Sequence, residues 1–106
     1  MTTITFNAET YELEASGHSG MEKDGKDIVC ASVTTLVFTL YKSLAESAEM
    51  LKKDSLEVKM SNGYAKISCT PKKKFEPHIQ LIYWVILNGI DSLCESYGEY
   101  VTFKEK

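Results

Sequence analysis

Arginine is absent from this sequence, and its basic residues are twelve lysines against fifteen acidic residues. Lysine carries a point charge, so the bidentate contacts that proteins favour for phosphate, carboxylate and guanine are not available. The net charge of −3 also argues against a protein whose main task is to bind nucleic acid or anionic lipid. We therefore expect no DNA partner.

Cysteine is scarce, and long apolar runs are missing. Cys30, Cys69 and Cys94 are an odd number and too few for a disulfide framework, so reduced thiols in a cytoplasmic protein are the simplest interpretation. The longest purely apolar run, residues 81–87, has seven residues, whereas about 18 are needed to span a bilayer. Residues 1–7 lack the charged and apolar regions of a secretion signal. We expect a cytoplasmic protein without membrane contact.

The spacings typical of metal sites are also missing. The sequence has no C-x-x-C motif, and its two histidines, His18 and His78, are not spaced as paired ligands. We therefore expect no metal and no other cofactor. The positions of Cys69 and Cys94 favour core packing, and His78 is expected at the surface.

The overall composition of the sequence is that of a single folded domain. The 106 residues are 43% hydrophobic and 25% charged, which is close to the average for soluble domains. A chain of this length forms one hydrophobic core, and no repeat, linker or low-complexity segment divides it. We expect a single domain over residues 1–106.

Apolar periodicity predicts the element order ββαββαβ. Period-two alternation indicates strands over residues 3–7, 11–15, 56–60, 64–69 and 100–103. The Asn62-Gly63 pair predicts a hairpin between the third and fourth strands. Asp27 has the features of an N-cap for a first helix that extends to Lys52-Lys53. Pro77 fits the first turn of a second helix, which Gly98 ends. This order predicts an α+β, two-layer fold in which a small, mostly antiparallel sheet packs against two helices.

The second predicted helix is apolar on more than one face. Leu81, Trp84, Val85 and Leu87 fill the gaps between the residues of its core stripe. A helix that is apolar all round is either deeply buried or paired with another subunit. We favour pairing, and therefore predict a homodimer.

The polar, glycine-rich segment at residues 16–26 contains two near-matches to known motifs. Residues 20–27 fit the phosphate loop G-x-x-x-x-G-K-[ST] except that Asp27 replaces the hydroxyl residue, and a carboxylate there opposes phosphate. Residues 17–21 fit the nucleophile elbow G-x-S-x-G except that Met21 replaces the last glycine. Neither a nucleotide site nor a serine hydrolase is favoured.

His18 lies within this segment and Cys30 follows it, and together they suggest a different chemistry. The thiolate is the reactive form of cysteine, and an unperturbed thiol is only a few per cent ionised at neutral pH. A helix N-terminus near Cys30 contributes ~0.3–1 kcal/mol, which is less than the ~1.36 kcal/mol of one pKa unit. The thiol therefore needs a base, and His18 supplies an imidazole. The alternative is a core cysteine, because Val33, Val37 and Tyr41 follow at helical spacing.

The residues around this pair resemble the signature of the ribosomal-processing cysteine proteases (Prp). The matching residues are Gly17-His18, Gly25, Asp27-Ile28-Val29-Cys30-Ala31 and Val33-Thr34. The resemblance implies a small cytosolic endopeptidase, generally homodimeric. Such enzymes remove an N-terminal extension from the twenty-seventh protein of the large ribosomal subunit by cutting after an aromatic pair. It also implies Cys30 as nucleophile and His18 as base.

Other residues of the segment are expected to support this pair. Gly20 and Gly25 give the loop hinge freedom, and the resemblance implies that this loop opens to admit the substrate. Thr34, where the family usually has Ser, keeps a hydroxyl near the site, and Gly17 precedes the base. For Asp27 we favour a helix cap with a secondary electrostatic role over a direct role at the site.

Two other functions remain open from the sequence. A non-enzymatic, ribosome-associated binding module would use Lys66 and residues 72–74 to contact ribosomal RNA weakly, with Cys30 in the core. A redox-sensing thiol is a weaker alternative, because the sequence suggests no resolving cysteine close to Cys30.

Overall fold

A computed structural model of the chain describes residues 1–18 and 27–106, which form five strands and two α-helices. In chain order these are β1 Thr2–Asn7, β2 Glu12–Ser16, α1 Ile28–Glu46, β3 Glu57–Ser61, β4 Tyr64–Ser68, α2 Glu76–Tyr97 and β5 Val101–Glu105. The predicted order ββαββαβ and the α+β class are confirmed.

The strands form one sheet in the order β3-β4-β2-β1-β5. All neighbours are antiparallel except β1 and β5, which are parallel. Ile4, Leu13, Ile67 and Val101 are buried on alternate strand positions, so one face of the sheet is covered by the helices and the other is not. The predicted mostly antiparallel, two-layer arrangement is therefore confirmed.

The predicted end of the first helix is wrong. Helix α1 ends at Glu46, not at Lys52-Lys53, and the Ser47 N–H closes its last turn on the carbonyls of Ser43 and Leu44. A 3-10 turn follows, after which Leu51 is only 4% exposed and pairs with Pro71 in an isolated antiparallel bridge. Burial of Leu51 requires the chain to turn back towards the sheet, and a straight helix would carry this side chain away from it.

Helix α1 is long and apolar enough, by length and composition alone, to cross a bilayer. Core helices meet the same criteria. Five residues of α1 form a buried stripe that packs with the sheet residues in one hydrophobic cluster: Val29, Val33, Val37, Leu40 and Leu44. This packing is that of a core helix.

Helix α2 buries one stripe and exposes a second apolar face. Pro77 lies in its first turn and Gly98 caps its end, as predicted. Leu81, Trp84 and Val85 are 58%, 60% and 56% exposed. They form an exposed apolar patch on this helix.

Candidate active site

His18 follows β2 and is held by its backbone against the β3–β4 hairpin. The N–H of Gly17, at φ +90°, donates to the Gly63 carbonyl at 2.8 Å. The His18 carbonyl accepts a hydrogen bond from the Met1 nitrogen at 2.6 Å. These bonds fix the segment that carries the imidazole, although the side chain itself is exposed.

The imidazole of His18 packs directly on Gly63 in the hairpin turn. A Cβ atom at Gly63 would lie 2.8 Å from His18 Nε2, which is closer than Cβ atoms approach other atoms in proteins, and 3.2 Å from Cε1. Gly63 also has φ +75°, which other L-residues adopt only with strain. The turn therefore needs glycine both for its backbone conformation and for the ring that lies on it.

Cys30 lies in the first turn of α1, half-buried. The preceding Asp27 caps the helix, because its Oδ1 accepts hydrogen bonds from the amides of Val29 and Cys30, each at 3.0 Å. The cap predicted for Asp27 is confirmed. Because the amides of Val29 and Cys30 already donate to the Asp27 carboxylate, a substrate oxyanion would have to compete with Asp27 for them.

His18 and Cys30 line the same cleft, which has a volume of about 250 Å³. One wall is the N-terminal half of α1, and the opposite wall is the β3–β4 hairpin. Gly17 and Thr34 line it as well. Thr34 lies about one turn beyond Cys30, and its exposed hydroxyl forms no hydrogen bond within the described part of the chain. The structure thus gathers these four predicted residues in one place.

Part of the cleft wall is apolar and comes from residues that the sequence did not indicate. Phe38 of α1 and Met60 of β3 both line the cleft and are 47% and 39% exposed. Met60 is opposite Ala65 in the sheet, on the face against which the helices pack. The helices do not extend over β3, because it is an edge strand, and Met60 therefore stays exposed. An apolar wall that is open to solvent suits apolar side chains of a peptide.

Not every predicted site residue can be located. The hinge glycines Gly20 and Gly25 lie outside the described residues, as do most positions of the two motif near-matches. His78 is exposed and Cys69 is buried, as predicted. Cys94 is half-buried in α2. Among residues 1–18 and 27–106, no group of three or more metal-binding side chains is present.

Comparison with known proteins identifies the family. The family model described as cysteine protease Prp matches residues 1–102 of the chain. The chain belongs to this family. A relative from Mycoplasma pneumoniae, the ribosomal processing cysteine protease Prp, is 24% identical over 97% of this chain and 95% of its own length.

Solved structures have the same fold. The essential ribosomal processing protease Prp from S. aureus, in complex with a covalently linked product peptide, covers 99% of this chain and 97% of its own with a TM-score of 0.76 at 23% identity. SMU.848 from Streptococcus mutans is 31% identical, with a TM-score of 0.70 over 98% of this chain and 90% of its own. The family membership makes this Prp protein a ribosomal processing cysteine protease, and it sets aside the non-enzymatic alternative.

We expect the three thiols of this Prp protease to react with iodoacetamide in a fixed order, with Cys30 first. Burial raises the pKa of the Cys69 thiol, and a hydrogen bond with Tyr83 offsets this only in part. Burial, together with the Asp91 carboxylate, raises the pKa of Cys94. A raised pKa leaves less thiolate at neutral pH, so Cys69 and Cys94 should label appreciably only as the pH increases. Peptide mapping of labelled protein gives the order, and earlier labelling of Cys94 would contradict it.

Substitutions of Asp27 should separate its capping role from its charge. Asp27→Asn keeps a side-chain acceptor, so it should unfold at nearly the same urea concentration as the wild type and retain much of the activity. Asp27→Ala loses both cap bonds and should be destabilised by about 1 kcal/mol. A folded but inactive Asp27→Asn protein would show instead that the carboxylate charge acts at the site.

Proposed function

We propose that Cys30 and His18 are the catalytic dyad, and that the substrate is the N-terminally extended twenty-seventh protein of the large ribosomal subunit. The observation that carries the proposal is the shared cleft: both side chains line one cavity, although eleven sequence positions separate them. The thiol lies at the start of α1, and the imidazole follows β2 and packs against the β3–β4 hairpin, so the two groups come from different elements of the fold.

The chemistry follows from these two groups. His18 takes the proton from Cys30 Sγ, and the sulfur attacks the carbonyl carbon of the scissile peptide bond. The C–N bond then breaks, His18 gives its proton to the leaving nitrogen, and a thioester remains on Cys30. Water, deprotonated by His18, attacks the thioester. The C–S bond breaks, the acid product leaves, and the proton returns to sulfur.

The cleft wall supports an apolar recognition sequence. Val33, Val37 and Phe38 of α1 and Met60 of β3 line the cavity together with Cys30. Aromatic side chains on the acyl side of the scissile bond would bury apolar surface there, at roughly 25 cal/mol per Å². Cleavage after an aromatic pair, which the family resemblance implies, is compatible with this wall. Thr34 and the Asp27 carboxylate are proposed to support the site electrostatically.

We also propose that the protease works as a homodimer in the cytoplasm. The support for the dimer is the exposed apolar patch of Leu81, Trp84 and Val85 on α2, since contiguous apolar surface of this kind is characteristic of interfaces. Light scattering should give a dimer mass for the wild type and a monomer mass for Trp84→Glu. A strictly monomeric wild type would remove the proposal.

The substrate assignment is tested with the extended ribosomal protein itself. Incubation with the chain should yield one new N-terminus, directly after the aromatic pair, when products are identified by intact mass spectrometry. A matched substrate with both aromatics replaced by alanine should remain uncut. Equal cleavage of the two substrates, or no cleavage of either by folded protease, would contradict the assignment.

A further inference from the structure

Five lysines that are distant in sequence meet at one end of the fold. The bridge between Leu51 and Pro71 is flanked by two hydrogen bonds, from the Lys52 N–H to the Thr70 carbonyl at 2.8 Å and from the Lys72 N–H to the Met50 carbonyl at 2.9 Å. Leu51 and Pro71 are buried, so alternation along the two segments points Lys52 and Lys72 outward on the same side. The lysine surface, as we call it, consists of Lys52, Lys53, Lys72, Lys73 and Lys74.

Aromatic rings lie within this basic surface. Lys74 Nζ is 5.0 Å from the centre of the Phe75 ring, which is partly exposed. The exposed His78 ring meets Phe75 edge-on, with ring centres 5.9 Å apart. A cation and rings of this kind at one place provide both a charge for phosphate and a flat apolar face for a base.

The charges of the lysine surface are not neutralised by ion pairs. All five lysines are exposed, and none is in an ion pair with a carboxylate of residues 1–18 or 27–106. Lys66 and Lys106, by contrast, pair with Glu12 and Glu14.

Nearby carboxylates lower the charge of the lysine surface but do not cancel it. Glu9 and Glu76 line a small cavity with Lys52 and Lys73, and Asp54 follows Lys53 in sequence. Within the described part of the chain, these three carboxylates and Glu49, which precedes Met50, are outnumbered by the five ammonium groups, on a chain whose net charge is −3. The basic residues are thus concentrated, which is the pattern of a polyanion site.

From these observations we infer that the lysine surface, together with Phe75, binds single-stranded RNA. Lysines contact phosphates as point charges and need no bidentate geometry. An acidic protein segment would satisfy the lysines but would make no use of a ring that can stack, whereas an unpaired base does. The inference goes beyond the proposed function, because it adds a nucleic-acid contact to a peptide-cleaving enzyme.

The lysine surface is separate from the cleft. Strand β4 begins at Tyr64, beside the hairpin turn on which the His18 ring packs, and ends at Ser68, close to Thr70. Five residues of strand place the two sites roughly 17 Å apart along the sheet. Binding of RNA and cleavage of a short peptide are therefore independent measurements, and failure of one does not decide the other.

Fluorescence anisotropy with a labelled single-stranded RNA of about twelve nucleotides tests the inference. Lys52→Gln/Lys72→Gln/Lys74→Gln should weaken binding at least about tenfold and reduce the slope of log affinity against log salt by about 2. The matched control Lys59→Gln/Lys104→Gln/Lys106→Gln removes the same charge outside the lysine surface and should bind within about twofold of the wild type. Phe75→Leu should weaken binding about fivefold and leave the salt slope unchanged.

Three outcomes would overturn the inference. They are no RNA binding by the wild type at about 50 mM salt, an equal loss in both triple variants, and tighter binding of polyglutamate than of RNA of equal charge. The last outcome would assign the surface to an acidic protein. Cleavage of a short peptide by the Lys52→Gln/Lys72→Gln/Lys74→Gln variant should match that of the wild type, which shows that its fold and its cleft are intact.

Discussion

We expect Cys30→Ala to abolish peptide cleavage and His18→Ala to lower kcat/KM by about 10²–10⁴-fold. The first variant lacks the sulfur that we propose forms the thioester. The second retains the sulfur but loses the imidazole that we propose accepts its proton and later protonates the leaving nitrogen. Both changes lie on partly or fully exposed side chains, so the variants should remain folded. Initial rates on a fluorogenic peptide that spans the cleavage site give the measurement.

The chain offers matched controls for this pair. Cys94→Ala and His78→Ala make the same chemical changes outside the cleft, and each should keep kcat/KM within about threefold of the wild type. Substantial cleavage by folded Cys30→Ala would assign the nucleophile to another residue. An unimpaired His18→Ala protein would remove the imidazole from the mechanism.

Gly63→Ala should lower kcat/KM by at least about tenfold, even though Gly63 carries no reactive group. Its Cβ would lie 2.8 Å from His18 Nε2, so the imidazole has to shift from the position it occupies against the turn. The φ of +75° adds backbone strain of about 1 kcal/mol for alanine. The loss of activity should therefore be larger than the small loss of stability can explain. Rate assays measure the loss of activity, and urea denaturation of the same variants measures the loss of stability.

Gly89→Ala is the control for this substitution. It makes the same change in α2, where the new Cβ would meet the flexible end of the Leu36 side chain and no site residue. Its kcat/KM should stay within about threefold of the wild type. If Gly63→Ala were as active as Gly89→Ala, the hairpin would not position the imidazole.

The local elements of the fold could be predicted from sequence because their signals are local. Alternating residues, the Asn62-Gly63 turn and the Asp27 cap each act within a few positions, and the structure contains all of them. The end of α1 could not be predicted in this way. It depends on the bridge between Leu51 and Pro71, a contact across twenty positions that no helical periodicity encodes.

Only the part of the candidate site that lies within one short stretch of the sequence could be predicted. His18, Cys30 and the residues between them fall close together in sequence, and the family resemblance depends on them. The β3–β4 hairpin itself was predicted, but the contribution of its residues Gly63 and Met60 to the site could not be, because the place of the hairpin beside β2 follows from the sheet order β3-β4-β2-β1-β5. The one local signal for Gly63 was the turn itself, which indicates backbone conformation and not a neighbouring histidine.

The central claim is that the imidazole of His18 activates the sulfur of Cys30. The most direct measurement uses a peptide chloromethyl ketone ending in the aromatic pair, which alkylates a protease nucleophile from the substrate position. Intact mass and peptide mapping should find a single adduct, on Cys30, which forms at least about 10²-fold more slowly in His18→Ala. An adduct on Cys69 or Cys94, or one on Cys30 that forms equally fast without His18, would contradict the account.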